Sequence, residues 1–340
     1  MGTAINRRRV ARRSGGINYA KMYFTIEAME NGCVVSVKNV GCTITPMFNY
    51  STDGGATWNA ISTGINSTKA VATINSGDTV LFKSTLVQLA TAWDKYNCFS
   101  CSKRYQVYGN AMSLLYNDNF ISNGEFANDS DHNFCSLFRD DTHIIDASNL
   151  ILPSLILPPN VYNGMFRDCS NLTTAPKLPA LTFMPPTSTG DGDHYSSMFE
   201  GCINLEEAPE LPATSLVSGC YNRMFCMSRT ATLKTPKMTK SPVLPAPIVP
   251  ATAYKEMFKG NGNLVEVTCL ATDITEATST SSWLLNCSTT GIFVKNANMT
   301  SWTRSTSGIP TGWTVYNQDE VNYLTFKSLK SSAYSFTGTV

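Results

Sequence analysis

The sequence has few charged residues, few histidines and no long apolar run. Only 15% of its 340 residues are charged, against the usual quarter or so, and the net charge is +1. No apolar run approaches the roughly 20 residues of a membrane span. No motif places a nucleophile beside any of the three histidines, His132, His143 and His194. We therefore expect neither nucleic acid nor a membrane as the main partner, no cofactor, and no enzyme.

Two clear copies of one 17-residue pattern lie at 164–180 and 197–213, GMFRDCSNLTTAPKLPA and SMFEGCINLEEAPELPA. Weaker copies lie at 136–153, 223–240, 256–273 and 283–298. A period in the twenties to low thirties with recurrent leucine predicts a solenoid. The aligned anchor residues are Phe138, Phe166, Phe199, Phe225, Phe258 and Leu285, spaced 28, 33, 26, 33 and 27 residues apart.

The positions that stay apolar in the two clear copies cannot be buried by one coil, so the coils must stack. Each coil should contain a short extended segment, which Pro209 and Pro212 stop from lengthening because proline cannot donate to a ladder. The Tyr-x-x-Met-Phe run suits a helical turn on the opposite side. We predict an irregular leucine-rich-repeat solenoid with caps over 101–317. Its repeat core comprises Phe138, Phe166, Phe199, Phe225, Phe258, Leu172 and Leu205.

The preceding segment, 19–100, predicts a small antiparallel β-sandwich. Phe24, Ile26 and Ala28 alternate on one side of a strand, and Val35 and Val37 continue the pattern after a turn. Further short segments separated by Asp-Gly-Gly and Ser-Gly-Asp turns repeat it, as in sandwiches. The fold class is therefore mainly β: a sandwich, then the solenoid, then the first strands of a second sandwich.

One motif in the sandwich matches the Asp-box of sialidases, S-x-D-x-G-x-T-W, through Ser51, Asp53, Gly55 and Trp58. A glycosidase is one interpretation. The box is a hairpin device, however, in which the Asp side chain binds turn amides and the Trp packs beneath. Sialidases also need an arginine cluster and a Tyr nucleophile. With one copy here, we expect a structural hairpin.

Cysteine and acidic clusters give no metal site. Cys98 and Cys101 form a C-x-x-C without a second pair. Cys135, Cys169 and Cys202 fall in neighbouring register near the anchors, and we expect small buried thiols in reduced form. The acidic runs at 129–131 and 191–193 could bind calcium weakly, but acidic turn tips are the commoner explanation.

The N-terminal segment 1–18 is strongly basic, although no apolar segment of a secretory signal follows its arginines. Without its five arginines the chain has 21 basic against 25 acidic residues. A solvated tail is one interpretation, an arm that orders on an acidic assembly surface is another, and an arginine arm for nucleic acid is the least favoured. The arm comprises Arg7, Arg8, Arg9, Arg12 and Arg13.

Both ends of the solenoid have predicted caps. Residues 103–120 should cap the first coil, and Trp302 and Trp313 should close the last one. Residues 321–340 align with the first predicted strands at an offset of 300 residues. We therefore expect 318–340 to start a second sandwich, which a longer polypeptide or a partner would complete.

These motifs together carry a resemblance. The strand pattern Y-x-T, the Asp-box hairpin, GNAMSLLYNDNF, the M-F-x-x-C-x-N-L repeats and the closing G-I-P-x-G-W-T-V span nearly all of 19–340. The region resembles a modular type common in gut Bacteroidales and in the tailed phages that infect them. The repeats are similar to those of BspA-type surface proteins. The resemblance implies no catalytic residues, and the basic arm is not part of that module.

From the arm, the repeats and the resemblance we expect a virion protein. It would be a head fibre of a crAss-like phage, bound to capsid proteins through the arm and assembled in the host cytoplasm. Fibres are normally homo-oligomers, here a dimer or trimer. The alternative is a receptor- or glycan-binding tail fibre or a bacterial surface adhesin, with host-surface or mucosal glycans as ligands. An adhesin would need an export signal.

Overall fold

The computed structural model describes residues 17–126, 131–186, 192–227, 235–300, 302–305 and 307–321. The protein is mainly β, with two sandwich-like sheets followed by a β-solenoid of about six turns across 156–317. The predicted fold class is confirmed to that extent, whereas nearly all of the expected second sandwich lies outside the described residues. The named helical segments are Tyr19–Lys21, Ser113–Tyr116 and Asn117–Asn119. Among the helices that the structure describes, none has the length and apolarity needed to cross a bilayer.

The sandwich and the solenoid contribute nine and seven of the named strands. The sandwich contains β1 (Phe24–Ala28), β2 (Cys33–Val40), β3 (Met47–Ser51), β4 (Asn59–Ser62), β5 (Thr68–Ile74), β6 (Thr79–Lys83), β7 (Ala90–Ala92), β8 (Lys95–Cys101) and β9 (Tyr105–Asn110). The solenoid adds β10 (Ile144–Ile151), β11 (Ile156–Leu157), β12 (Thr182–Phe183), β13 (Lys240–Leu244), β14 (Glu266–Cys269), β15 (Gly291–Lys295) and β16 (Trp313–Asn317).

The two sheets of the sandwich enclose an aromatic core. The first sheet has the order β10-β9-β1-β6-β3-β4 and the second the order β5-β2-β8-β7. The predicted alternation is correct, because Phe24, Ile26, Ala28, Val35 and Val37 are all buried. The chain crosses from the first sheet to the second between β1 and β2. Burial of these large side chains between the layers supplies the main stabilisation.

The sandwich continues into the solenoid without a break in the core. Strand β9 pairs with β1 antiparallel and with β10 parallel, so the first sheet extends past residue 100 and includes the first strand of the coils. The amide of Phe99 in β8 donates to the carbonyl of Leu137, 3.0 Å away, which joins the second sheet to the same coil. Residues 103–120, expected to cap the first coil, thus supply its pairing strand.

Glycine is required at one point of this junction. Gly109 in β9 has a φ of +84°, and a Cβ there would collide with the carbonyl oxygen of Tyr23. Any other residue would therefore be strained and would push β9 away from the N-terminal segment. This contact explains the glycine of the GNAMS sequence.

The Tyr-x-x-Met-Phe run does not form the predicted helical turn. Every fourth residue has a left-handed backbone, as at Asn160, Gly164 and Asp168, with φ near +60°. Alternate amides donate to the next coil instead of along the segment, as Phe166 does to the carbonyl of Met198, 3.0 Å away. This side of the solenoid is therefore a stack of consecutive turns, which hydrogen bonds between coils join together.

Two aromatic columns run through the stacked coils. The rings of Phe138, Phe166, Phe199, Phe225 and Phe258 stack in sequence at 5.1–5.7 Å, with interplanar angles of 11° or less. The second column contains Phe134, Tyr162, Tyr195, Tyr221, Tyr254, Trp283 and Trp302. Trp302 thus stacks at the end of a column, and Trp313 is buried in β16.

The predicted anchor in the last copy is wrong by one residue. The amide of Phe258 donates to the carbonyl of Trp283, so Leu284 rather than Leu285 takes the phenylalanine position. Leu284 is only 2% exposed, whereas Leu285 is partly buried. The sequence WLLNC offers two adjacent leucines, and the pattern alone does not distinguish them.

Candidate functional site

The recurring polar positions of the repeat bind coil to coil. In four of the described coils, the residue three places after the anchor position donates to the anchor carbonyl of the preceding coil. Burial raises the pKa of the Cys169 and Cys202 thiols well above its usual value, so both stay protonated and can donate. The donors are Cys169 and Cys202 at 3.0 Å, Asn261 at 2.5 Å and Cys287 at 3.2 Å.

The asparagine of the Asn-Leu pair also donates to a backbone carbonyl of the preceding coil. Asn171 donates to the carbonyl of Thr142 at 2.7 Å, and Asn204 donates to that of Ser170 at 2.8 Å. Leu172 and Leu205, beside them, are buried as predicted. The motif C-x-N-L is therefore a structural device that satisfies carbonyls of the preceding coil and fixes the register of the coils.

Cys135 was expected to lie in one column with Cys169 and Cys202, but it does not. It precedes Phe138 by three residues, and its buried side chain packs with Cys98 in a small separate cluster. Asp141 takes the column position in that coil and accepts from the Tyr105 hydroxyl at 2.8 Å and the Cys101 amide at 3.2 Å. Burial raises the pKa of Asp141.

A line of charged side chains runs beside the phenylalanine column. Glu200 has no exposed side-chain surface and lies 2.8 Å from Arg223 and 3.6 Å from Arg167. Burial alone would raise the pKa of Glu200, but the hydrogen bond from Arg223 and the charges of both arginines outweigh it and lower the pKa. Arg223 also pairs with Glu256. These groups neutralise one another and are part of the core.

The Asp-box forms the expected hairpin between β3 and β4. Asp53 accepts from the Thr57 hydroxyl at 2.6 Å, the Thr57 amide at 3.0 Å and the Ser51 hydroxyl at 2.7 Å, and these bonds hold its pKa well below the usual range. Ser51 also accepts from the Gly55 amide at 2.8 Å. The ring of Trp58 packs beneath the turn, 3.6 Å from where a Gly55 Cβ would lie. The polar side chains of the box are used within the hairpin, while the Trp58 ring also contacts Tyr23 and Lys83.

The other candidate residues do not converge. Within the described residues no cluster of three His, Cys, Asp or Glu could hold a metal ion. Cys98 and Cys101 belong to different clusters, Cys101 with the main core. His194 is buried and bonded to the carbonyl of Met184, at 2.9 Å. His132 lies beside Asp131 and His143 beside Asp141.

Part of the predicted set lies outside the described residues. This applies to the whole arginine arm (Arg7, Arg8, Arg9, Arg12 and Arg13) and to one carboxylate of each acidic run, Asp129 and Asp191. Their roles stay predictions.

A groove opens between two coils where proline interrupts pairing. Segments 175–180 and 208–213 lie side by side, and their prolines, among them Pro176 and Pro209, have no N–H to donate. In this described region no backbone hydrogen bond joins the two segments. The groove measures about 470 Å³ and is lined mainly by Ala, Pro and Leu, with Lys177 and Glu210 at its rim. The predicted interruption of the ladder is confirmed.

A polar pocket of about 190 Å³ lies on the outer face of the first sheet, where the sandwich meets the first coil. We call it the junction pocket. Gln106 in β9 is paired with Glu27 in β1 on one side and with Asp146 in β10 on the other. Two residues further along β9, Tyr108 is paired with Asn149 in β10. The pocket is lined by Ile17, Tyr19, Met22, Glu27, Gln106, Val107, Tyr108, Asp146 and Asn149.

The N-terminal helical turn forms one wall of the junction pocket. The Asn110 side chain donates to the carbonyl of Ala20 at 3.2 Å, and the backbone amide of Asn110 donates to the carbonyl of Met22 at 2.8 Å. Tyr19 is thereby held over Tyr108, with ring centroids 5.5 Å apart and an interplanar angle of 67°. Sequence analysis did not single out this pocket.

Comparison with protein-family models, curated proteins and solved structures finds no match for this chain. The function must therefore be argued from the geometry. The described residues offer a long hydrogen-bonded stack, an apolar groove and a polar pocket.

Proposed function

We propose that this chain is a non-enzymatic virion structural protein, a fibre anchored to the phage capsid by its arginine-rich N terminus, with the repeat domains projecting outward. The observation that carries the proposal is the continuous core from sandwich to solenoid. Two backbone connections, β9 to β10 and Phe99 to Leu137, fix the first coil on both sheets. A stalk must hold its distal surface at a fixed distance, and two connections resist bending better than a single linker.

Charge distribution supports the role of the arm. Five arginines lie within the first 16 residues, while the remaining chain has four more acidic than basic residues. An acidic patch on a capsid would attract the basic arm. It would not repel the acidic remainder of the chain held further away, because screening limits surface electrostatics to about 8–10 Å at physiological salt. Arginine binds carboxylates bidentately, so it suits such docking.

The test uses virions of the phage that encodes the chain. Full-length protein and three variants are added to particles lacking it: a deletion of 1–16, all five arginines changed to Lys, and all five changed to Gln. We expect the full-length protein to sediment with particles, the Lys protein to sediment less completely because it keeps the charge but loses bidentate pairing, and the deletion and Gln proteins to stay in the supernatant. If the full-length protein never sediments, the fibre proposal is wrong. If the deletion sediments equally well, the arm is not the anchor.

The alternative is a receptor- or glycan-binding tail fibre or a bacterial surface adhesin. The specific observation that favours it is the junction pocket, a concave polar site with aromatic walls. Immunogold labelling of intact phage and of bacterial cells distinguishes the locations: heads for the leading proposal, tails or cell surfaces for the alternative.

A further inference from the structure

The junction pocket contains hydrogen-bonding groups that the fold itself does not use. Gln106 and Asn149 lie on neighbouring strands and are half-buried. In the described part of the chain, neither side-chain amide has a hydrogen-bond partner. Each amide has a carbonyl oxygen that accepts and an NH2 group that donates, so together they present two accepting and two donating groups within one small concavity. Elsewhere in the molecule, the amides of Asn171 and Asn204 are used between coils.

Two carboxylates line the pocket, and the protein holds one of them in place. Asp146 accepts from the Ser148 amide at 2.7 Å and the Thr174 hydroxyl at 2.5 Å. Burial, together with the nearby Glu27 carboxylate, raises the pKa of the Tyr108 phenol well above its usual value. Asp146 is therefore a fixed acceptor, and the negative charge of both carboxylates disfavours an anionic ligand in the same pocket.

Aromatic and apolar surfaces complete the site. Tyr19 and Tyr108 meet edge to face and both line the cavity, and Ile17 adds an exposed apolar edge. Such surfaces favour the C–H face of a ring that carries hydroxyl groups at its rim. The volume is below the roughly 300–1,000 Å³ of drug-sized sites, so only a small group fits.

We propose that the junction pocket binds one residue of a neutral saccharide. Gln106 and Asn149 donate to and accept from its hydroxyl groups, Glu27 and Asp146 accept from further hydroxyls, and the tyrosines contact its apolar face. A cell-surface polysaccharide and a secreted mucin glycan present the same chemistry. The site stands apart from the fibre proposal, because it lies on the folded sandwich and involves none of the five arginines of the arm.

The test is saturation-transfer NMR and calorimetry with the full chain against methyl glycosides of neutral hexoses and N-acetylhexosamines, with a sialoside for comparison. We expect weak binding of at least one neutral glycoside and none of the sialoside. Gln106→Ala and Asn149→Ala should each weaken binding about tenfold, since each removes a hydrogen-bonding group that faces the ligand.

The matched control is Asn59→Ala, which removes an exposed amide from β4 at the opposite edge of the same sheet. It should bind as tightly as the unmodified protein. Thermal unfolding checks that all three variants are folded. No binding of any neutral glycoside by the folded full chain would overturn the proposal, as would equal losses in the control. Binding of the sialoside alone would show an anion site instead. Particle sedimentation reports on the fibre proposal separately.

Two competition experiments distinguish a cell-surface polysaccharide from a mucin glycan as the source of the ligand. Purified capsular polysaccharide and desialylated mucin glycans are each used to compete with the bound methyl glycoside. We expect displacement by the source whose terminal residue is the preferred sugar. Displacement by neither would contradict recognition of a single saccharide residue.

Discussion

Buried His194 should make the solenoid less stable in mild acid. Its side chain is fully buried, packs 4.9 Å from the ring of Phe183 and is bonded to the carbonyl of Met184. Because a carbonyl only accepts, the Nε2 atom must carry the proton of the neutral ring. Burial lowers the pKa of His194 to about 4, although hydrogen bonds to the backbone at Met184 and Leu157 oppose part of this effect.

The sign follows from proton uptake. In the unfolded chain the histidine has a pKa of about 6.5, so it becomes protonated as the pH falls below that value while the folded chain stays neutral. Unfolding then takes up a proton, and stability falls between about pH 6.5 and about pH 4. With those two pKa values, the loss between neutral pH and about pH 4.5 is about 2 kcal/mol.

The assay compares the unmodified protein with His194→Gln, which keeps an N–H donor for the Met184 carbonyl but does not titrate. Urea unfolding followed by circular dichroism gives the free energy of unfolding of both proteins at neutral pH and at about pH 4.5. Carboxylates such as Asp141 and Glu200 titrate in both proteins and cancel in the comparison. We expect the variant to lose about 2 kcal/mol less than the unmodified protein on acidification.

Equal losses in the two proteins would refute the reasoning. So would a direct NMR titration that finds an ordinary pKa near about 6.5 for the His194 ring in the folded state.

Two further substitutions test the columns. Phe199→Ala should lower the free energy of unfolding by about 3–5 kcal/mol, because it leaves a cavity in the middle of the ring stack, and Phe199→Leu should cost less. Urea denaturation measures both, and a loss below about 1 kcal/mol for the Ala variant would contradict a tightly packed column. Glu200→Gln should cost about 3–5 kcal/mol because it leaves two arginines without their shared carboxylate. Adding Arg223→Gln should recover part of that loss, and a strictly additive double variant would show that the two groups are not coupled.

The repeat could be predicted from the sequence because its signals are local and recur. A Met-Phe pair and a Leu at fixed spacing define the buried positions whatever the surrounding coil does, and Phe166, Phe199 and Phe225 all stack as their spacing indicates. The proline segments were equally clear, since the missing N–H is a property of the residue itself. The hairpin at Asp53 was predictable for the same reason: its bonds span only four residues.

Features that depend on register between distant strands could not be predicted. The junction pocket combines Glu27, Gln106 and Asp146, which are about 80 and 40 residues apart and meet only through the pairing of three strands. The helical turn expected at Tyr-x-x-Met-Phe failed for a related reason. The amides there donate to carbonyls of the next coil instead of to carbonyls of a local helical turn. Stacking of the coils, rather than helix propensity, decides between the two sets of hydrogen bonds.

The roles of the repeated polar residues also required the three-dimensional structure. Cys202 is typical of a small buried side chain, and its sequence context does not reveal that its thiol meets the carbonyl of Phe166 in the preceding coil. The replacement of cysteine by Asn261 at the equivalent position is then understandable, because the amide makes the same bond to Phe225. Where a preceding coil presents an anchor carbonyl, as at Cys202 and Asn261, the position requires a hydrogen-bond donor, which need not be a thiol.

The uneven lengths of the coils suit a molecule whose surface varies while its axis is fixed. The anchors from Phe138 to Phe258 are 26 to 33 residues apart in sequence, yet their rings stay 5.1–5.7 Å apart. The spacing of the rings therefore does not depend on the number of residues between anchors. Substitutions or insertions there alter the surface at little cost to the core, since longer surface loops cost only slightly more entropy. A stalk that must keep its length while its outer surface changes gains from this separation.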